Sequence, residues 1–113
     1  MKRLLERLTS LVARRERFTY DLRGDCLVDQ GTVAPYRPSG ERSTFPDLHH
    51  AIAHALEHDG ILGARRDPVS GEMNYASCRL FTDQDHALRF AEAEGQPAVY
   101  NMNRMIEVAV PRS

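Results

Sequence analysis

The sequence predicts an α+β fold in which helices pack on one small antiparallel sheet. Two observations indicate it. Some segments have the 3.6-residue period of amphipathic helices, and short runs between them alternate apolar with polar residues and end at turn residues. The 113 residues, 42% hydrophobic and 27% charged, suit a single domain over residues 1–113 with one modest core.

The first predicted element is a basic amphipathic helix over residues 2–17. Four leucines and a valine recur on one helical face, while Arg3, Arg7 and Arg14 lie together on its flank. Residues 1–18 hold six cations and two anions, a charge of +4, whereas the remainder holds nine cations and fourteen anions, a charge of −5. Such a helix either binds an anionic partner or docks on its own domain, and the sequence leaves both open.

Short strands and a second helix are predicted next. The alternation of Phe18, Tyr20 and Leu22 with polar residues predicts one strand, and residues 26–28 and 32–34 predict two shorter ones. An irregular loop rich in proline and glycine follows.

Capping signals set the predicted ends of the second and third helices. Thr44 is predicted to cap the second helix, with Asp47 at the capping-box position, and Gly60 to end it. Thr82 opens the third helix by the same pattern, and Gly95 ends it. A β-hairpin precedes this third helix and another follows it, so the predicted C-terminal half is hairpin, helix, hairpin.

The C-terminal half resembles a pattern found in small uncharacterised bacterial and phage proteins. Its positions here are Leu62-Gly63-Ala64-Arg65-Arg66-Asp67, Gly71, Tyr75, Asp83, Ala87, Ala91 and Gln96-Pro97-Ala98-Val99-Tyr100-Asn101. The chain departs from the pattern at two places. It has Ala64-Arg65 where the pattern has an aromatic residue after the glycine, and Ala76-Ser77 where the pattern has an aspartate after the tyrosine. The resemblance implies a compact α+β module without an assigned activity, in the setting of a phage or mobile element.

Histidines on the second helix form a candidate metal site. His50, His54 and His58 recur every four residues, so their imidazoles line one face. Neighbouring members suit a divalent transition metal, but a rise of about 6 Å per four residues keeps all three from converging on one ion. The sequence therefore favours a solvated polar face, and no metal or cofactor is expected.

Catalysis is not expected from the sequence. Cys26 and Cys78 are interpreted as free thiols of a cytoplasmic protein, and Cys78 falls in phase with apolar strand residues. No motif joins a nucleophile to a base and an orienting group, so the chain is predicted not to be an enzyme. No segment has the length and apolarity of a membrane span or a secretory signal.

Arginine and tyrosine side chains mark the predicted contact surface, because these residue types are enriched in interface hot spots. The candidates are Arg3, Arg7, Arg14, Arg65, Arg66, Tyr75 and Arg79. We expect a non-enzymatic protein-binding module, in its most concrete form a phage or mobile-element protein that inhibits a host defence complex. The alternatives are nucleic-acid binding through residues 2–17 and metal binding through the three histidines. The oligomeric state is open, and a homodimer is one possibility.

Overall fold

A computed structural model of the protein describes residues 2–38, 45 and 47–111, and it confirms the α+β class. Within these described residues seven strands form one sheet with the order β2-β1-β4-β5-β3-β6-β7, and all the pairings are antiparallel. The elements in chain order are α1 (Lys2–Arg14), β1 (Arg17–Asp21), β2 (Cys26–Leu27), β3 (Thr32–Pro35), α2 (Leu48–Glu57), β4 (Ile61–Arg66), β5 (Met73–Phe81), α3 (Gln84–Ala93), β6 (Ala98–Asn101) and β7 (Ile106–Ala109).

The first helix is shorter than the sequence pattern indicates. α1 ends at Arg14 rather than at residue 17, because Arg17 is already the first residue of β1 and pairs with Arg65 of β4. The predicted ends of the other two helices are confirmed. Gly60 and Gly95 take left-handed φ angles of +78° and +68°, which close a helix without steric cost to glycine.

Aspartates cap the second and third helices. The Asp47 carboxylate caps α2 by accepting a 2.9 Å hydrogen bond from the backbone N–H three residues later. The predicted cap of this helix, Thr44, lies outside the described residues. Asp83 rather than Thr82 caps α3, and its carboxylate accepts a 3.0 Å hydrogen bond from a backbone N–H of the first turn. Both helices therefore begin later than the threonines predict.

All three helices cover the same face of the sheet. α1 and α2 pack on β1, β4 and β5, where Leu8, Ala55 and Leu62 are completely buried. α3 packs on β3 and β6, where Ala91 and Val99 are buried. Burial of a leucine side chain such as Leu8 contributes about 1.5–3 kcal/mol, so α1 is held on its own domain by its leucine stripe.

The sheet is curled, and its two ends face each other across the side that the helices leave uncovered. Arg17 on β1 contacts Glu107 on β7 and Tyr100 on β6, although three strands separate β1 from β6. We call the helix-covered side the convex face and the opposite side the concave face. One end of the concave face is filled by the buried side chains of Val33, Ile61, Cys78 and Met102.

A candidate binding groove on the concave face

The unfilled end of the concave face forms a cleft of about 220 Å³. This volume lies below the ~300–1,000 Å³ of pockets that enclose drug-sized ligands, so the cleft fits one side chain or a similarly small group. Arg17, Arg65 and Glu107 project into it from β1, β4 and β7. Its walls include Thr19, Pro35, Gly63, Asn74, Ala98 and Tyr100.

Two guanidinium groups share one carboxylate at the centre of the cleft. Arg17 and Arg65 each donate a hydrogen bond of 3.2 Å to the same oxygen, Oε2 of Glu107. The Arg17 side chain is 28% exposed, and burial lowers its pKa. Arginine nevertheless stays protonated in proteins, so the lowered pKa reflects a cation that is short of solvation. The two cations and one anion leave the cleft with a charge of +1.

The arginine pair is placed by the register of the sheet. Arg17 and Arg65 lie directly opposite each other on neighbouring strands, an arrangement that destabilises a sheet when both charges are alike. The guanidinium carbon of Arg17 lies 3.9 Å from the ring centroid of Tyr100, a cation–π contact that fixes this side chain. Contacts with Tyr100 and Glu107 therefore offset the repulsion between Arg17 and Arg65. An uncharged residue in place of either arginine would avoid this repulsion. Such a local conflict is typical of a functional site.

The floor of the cleft is apolar and chemically inert. A Cβ atom on Gly63 would lie 2.9 Å from Sγ of Cys78, so a glycine is required here for the thiol to lie against the strand. Burial raises the pKa of Cys78 to about 12. Because the thiolate is the nucleophilic form, this cysteine packs as a small hydrophobic residue. Cys26, the other free cysteine, is exposed on β2.

The cleft continues along the seam between the two ends of the sheet. An open depression of about 600 Å³ follows it, and Arg17 and Tyr100 line both spaces. We call the cleft and this depression together the seam groove. Leu27 on β2 and Met105 in the β6–β7 turn border its far part, and their side chains are 40% and 77% exposed.

The three candidate arginines of α1 lie outside the seam groove. Arg7 forms an ion pair with Asp25, whose other oxygen accepts a 2.5 Å hydrogen bond from Tyr20. The hydrogen bond from Tyr20, together with Arg7, lowers the pKa of Asp25. Arg14 donates to a backbone carbonyl of its own helix at 3.3 Å, and Arg3 is exposed. The basic flank of α1 is thus partly neutralised by the β1–β2 turn.

The other candidates divide between the two faces. Arg65 stands in the cleft, whereas its neighbour Arg66 donates to the carbonyl oxygens of Val12 and Gly71 and ties the β4–β5 hairpin to α1. The half-buried Tyr75 borders the cleft along its strand while it packs against the core below α1 and α2. Arg79 lies 3.8 Å from an aspartate on the convex side and near two phenylalanine rings.

The candidate histidines of α2 and of its C-terminal cap, His58, contact protein groups in different ways. Nδ1 of His50 is hydrogen-bonded to Asp47, and Nδ1 of His54 to Ser77, each at 2.8 Å. The rings of His54 and His58 stack with centroids 3.9 Å apart and planes 5° apart. Across the part of the chain that the structure describes, no three His, Cys, Asp or Glu side chains are grouped to hold a metal ion.

The sequence does not predict a shared site for Arg17, Tyr100 and Glu107, and it indicates Arg17 only as a possible phosphate contact of the first helix. The helical pattern assigns Arg17 to the first helix, and Tyr100 and Glu107 read as ordinary strand residues. Their contacts depend on the curl of the sheet, which no local pattern indicates. Tyr100 carries one signal, since it belongs to the Gln96–Asn101 segment of the family resemblance.

Comparison of the chain with protein-family models, with curated proteins and with solved structures finds no match. Among the helices of the described segments, none has the length and apolarity to cross a membrane. The function is therefore inferred from the seam groove itself.

Proposed function

We propose that the protein is a non-enzymatic module that binds a partner protein through the seam groove. The observation that carries the proposal is the pair Arg17 and Arg65, which share one carboxylate in a cleft of charge +1. A partly buried guanidinium gains more from an anionic partner than an exposed one, because water screens the interaction less. Arginine and tyrosine are also the residue types that supply most binding energy at protein interfaces.

Size and charge favour a protein segment over a nucleic acid. The cleft of about 220 Å³ admits a side chain, and the groove continues beyond it, as an extended chain requires. Phosphate backbones are bound by surfaces with an excess of lysine and arginine. Along the whole seam groove the charges balance, since Arg15, Arg17 and Arg65 are matched by Glu16, Asp29 and Glu107.

The groove chemistry also supports a non-enzymatic role. Acyl or group transfer needs a nucleophile next to a base that activates it. Within the described lining of the cleft, the thiol of Cys78 is held protonated and the carboxylate of Glu107 is engaged by two arginines.

Two more specific proposals accompany this function. A cytoplasmic location is supported by the two free thiols, which are typical of reducing compartments. The role of a phage or mobile-element protein that inhibits a host defence complex is supported by the sequence resemblance alone, and it stays a prediction.

A charge reversal in the groove tests the proposed function. Affinity-tagged wild-type protein and an Arg65→Glu variant are used to capture proteins from a host lysate, and the captured proteins are quantified by mass spectrometry. Arg89→Glu is the matched control, because Arg89 is exposed on α3 on the convex side. We expect the captured amount of one partner protein to be about tenfold or more lower with Arg65→Glu than with wild type. The captured amount should be unchanged with Arg89→Glu.

The alternative functions give different outcomes. Capture of nucleic acid, lost in an Arg3→Glu/Arg7→Glu/Arg14→Glu variant and unaffected by Arg65→Glu, would contradict the proposal and support binding through α1. Equal recovery of every captured protein with wild type, Arg65→Glu and Arg89→Glu would also contradict it. Circular dichroism of each variant separates lost binding from lost folding.

A further inference from the structure

We propose that the segment bound in the seam groove carries a carboxylate and, within three residues of it, a large apolar side chain. This inference rests on the proposed function and deepens it. The carboxylate takes the place of Glu107 between Arg17 and Arg65. The apolar side chain packs on Leu27 and Met105, which we call the apolar lip.

The backbone of Met105 is the first observation behind the apolar lip. Its φ of +56° lies in the left-handed region, which is unfavourable for a residue with a long side chain. Asparagine and glycine take this conformation readily, and an asparagine, Asn103, stands two residues earlier in the same turn. The Met105 side chain is 77% exposed, so burial within the chain does not compensate for the strain.

Asp25 shows what a compensated left-handed residue looks like in the same protein. It has a φ of +55°, and aspartate tolerates this region better than methionine. Its carboxylate accepts hydrogen bonds from Arg7 and Tyr20, which hold the β1–β2 turn against α1. Met105 combines strain with exposure, and strain that the fold does not use is characteristic of binding sites. Methionine also adapts its shape to apolar partners.

The two members of the apolar lip come from opposite ends of the sheet. Leu27 belongs to β2, the first strand in the sheet order, while Met105 directly precedes β7, the last. Both line the depression of about 600 Å³. The stacked pair of Arg17 and Tyr100 separates this lip from the carboxylate position. The carboxylate and the apolar group therefore belong to different residues of one extended segment.

Glu107 occupies the carboxylate position through its hydrogen bonds from Arg17 and Arg65, at a place that solvent reaches. It lies on the edge strand β7, and its side chain is 47% exposed. Arg17 also stacks on Tyr100, a second contact that does not involve the Glu107 carboxylate. A carboxylate from the partner therefore competes with Glu107 for the two cations, and Glu107 turns out toward solvent when the partner binds. Removal of this competitor charge strengthens binding of an acidic segment.

Synthetic peptides test the ligand chemistry on the full chain. The test uses four pools of fluorescein-labelled, end-capped octapeptides with a Gly/Ser background. Each pool has either Glu or Gln at a fixed position, combined with either Leu or Ser at one, two or three residues before or after that position. Affinities are measured by fluorescence anisotropy for wild type and for Glu107→Gln, Met105→Gly, Leu27→Ser and Arg65→Glu, with Arg89→Glu as the control.

The expected results separate the two parts of the ligand. The Glu/Leu pool binds tightest, and Gln in place of Glu weakens binding about tenfold. Glu107→Gln raises affinity for the Glu pools by about three- to tenfold. Met105→Gly and Leu27→Ser lower the affinity for the pools that contain Leu by about fivefold, and leave the affinity for the Ser pools unchanged. Met105→Gly keeps the fold because glycine adopts the left-handed region freely.

Two outcomes overturn the inference in distinguishable ways. Arg65-dependent binding with equal affinity for Leu and Ser pools, or for Glu and Gln pools, contradicts the proposed ligand and leaves the proposed function standing. No Arg65-dependent binding of any pool at millimolar concentration contradicts the ligand as well. If Arg65→Glu also fails to change partner capture, the proposed function falls with it.

Discussion

The two faces of the sheet differ in how well their side chains are accommodated by the fold. On the convex face, helices bury apolar side chains, and charged groups such as Arg66 and Asp25 make contacts that hold the fold together. On the concave face, two arginines stand opposite each other and share one carboxylate. A strained methionine is also exposed at its border. These unfavourable features, a pair of like charges and a strained backbone, lie on the concave side. Most residues of a natural protein favour its fold, so a group of unfavourable ones indicates a binding site.

Arg65 and Arg66 show the contrast within one dipeptide. Alternation along a strand sends consecutive side chains to opposite faces. Arg66 donates to two backbone carbonyl oxygens and lies 3.8 Å from Glu16, so it joins α1 to the β4–β5 hairpin. Arg65 has the shared oxygen of Glu107 as its partner. One arginine therefore stabilises the structure, while its neighbour is available to a ligand.

The largest expected difference between the faces is in core stability. Leu8→Ala on the convex face removes a completely buried side chain and is expected to lower the free energy of unfolding by about 2–5 kcal/mol. Leu27→Ala in the apolar lip is the matched control, with an expected loss of less than about 1 kcal/mol because its side chain is already 40% exposed. Urea denaturation of both variants measures the difference. Equal losses would mean that the lip is part of the core.

The arginine dipeptide gives the next largest effect. Arg66→Ala removes charge-assisted hydrogen bonds to two carbonyl oxygens and is expected to cost about 1.5–3 kcal/mol of unfolding free energy. Arg65→Ala relieves the repulsion with Arg17 and is expected to change stability by less than about 0.5 kcal/mol. Thermal and urea unfolding report both values. A larger loss from Arg65→Ala than from Arg66→Ala would assign Arg65 to the fold.

A substitution in the apolar lip is expected to increase stability. Met105→Gly relieves the left-handed strain, a gain of about 1–2 kcal/mol that the greater backbone freedom of glycine in the unfolded state partly cancels. We therefore expect a higher unfolding midpoint together with the weaker peptide binding described above. Met105→Ala, which keeps the strain, serves as the control and should leave the midpoint unchanged. A lower midpoint for Met105→Gly would mean that the methionine side chain stabilises the fold.

The smallest expected effect is a pH dependence that originates on the convex face. Burial, and then the charge of His58, lower the pKa of His54, so the unfolded chain binds a proton more readily than the folded one. The contribution of His54 to the free energy of unfolding is therefore fully present above the unfolded-state pKa of about 6.5. It is lost as the pH falls below that pKa. Urea midpoints at several pH values between 5 and 8 measure this effect. His54→Gln should flatten the profile, and an unchanged profile would assign the dependence to other groups.

The sequence predicts the elements of this fold better than their arrangement. The leucine stripe of α1, the glycine ends of the helices and the C-terminal hairpins all follow from local patterns, and the structure has them. The position of β3 between β5 and β6 depends on pairing between distant segments, as does the curl of the sheet. Local propensity carries no information about such contacts.

The candidate site was only partly predictable for the same reason. Arg65 can be selected because exposed arginines are common in interfaces. Arg17 and Glu107 acquire a role only because the ends of the sheet meet, and 90 residues separate them in the chain. Met105 has no sequence signal at all, because its backbone conformation sets it apart rather than its residue type.

Hydrogen exchange of the protein with and without its captured partner tests the central claim most directly. If the seam groove binds the partner, backbone amides of residues 15–19, 26–28 and 100–107 gain protection. Those of α2 and α3 are expected to exchange at unchanged rates. Protection confined to α1 or to the outer surface of α2 and α3, with unchanged exchange along the seam, would contradict the assignment of binding to the concave face.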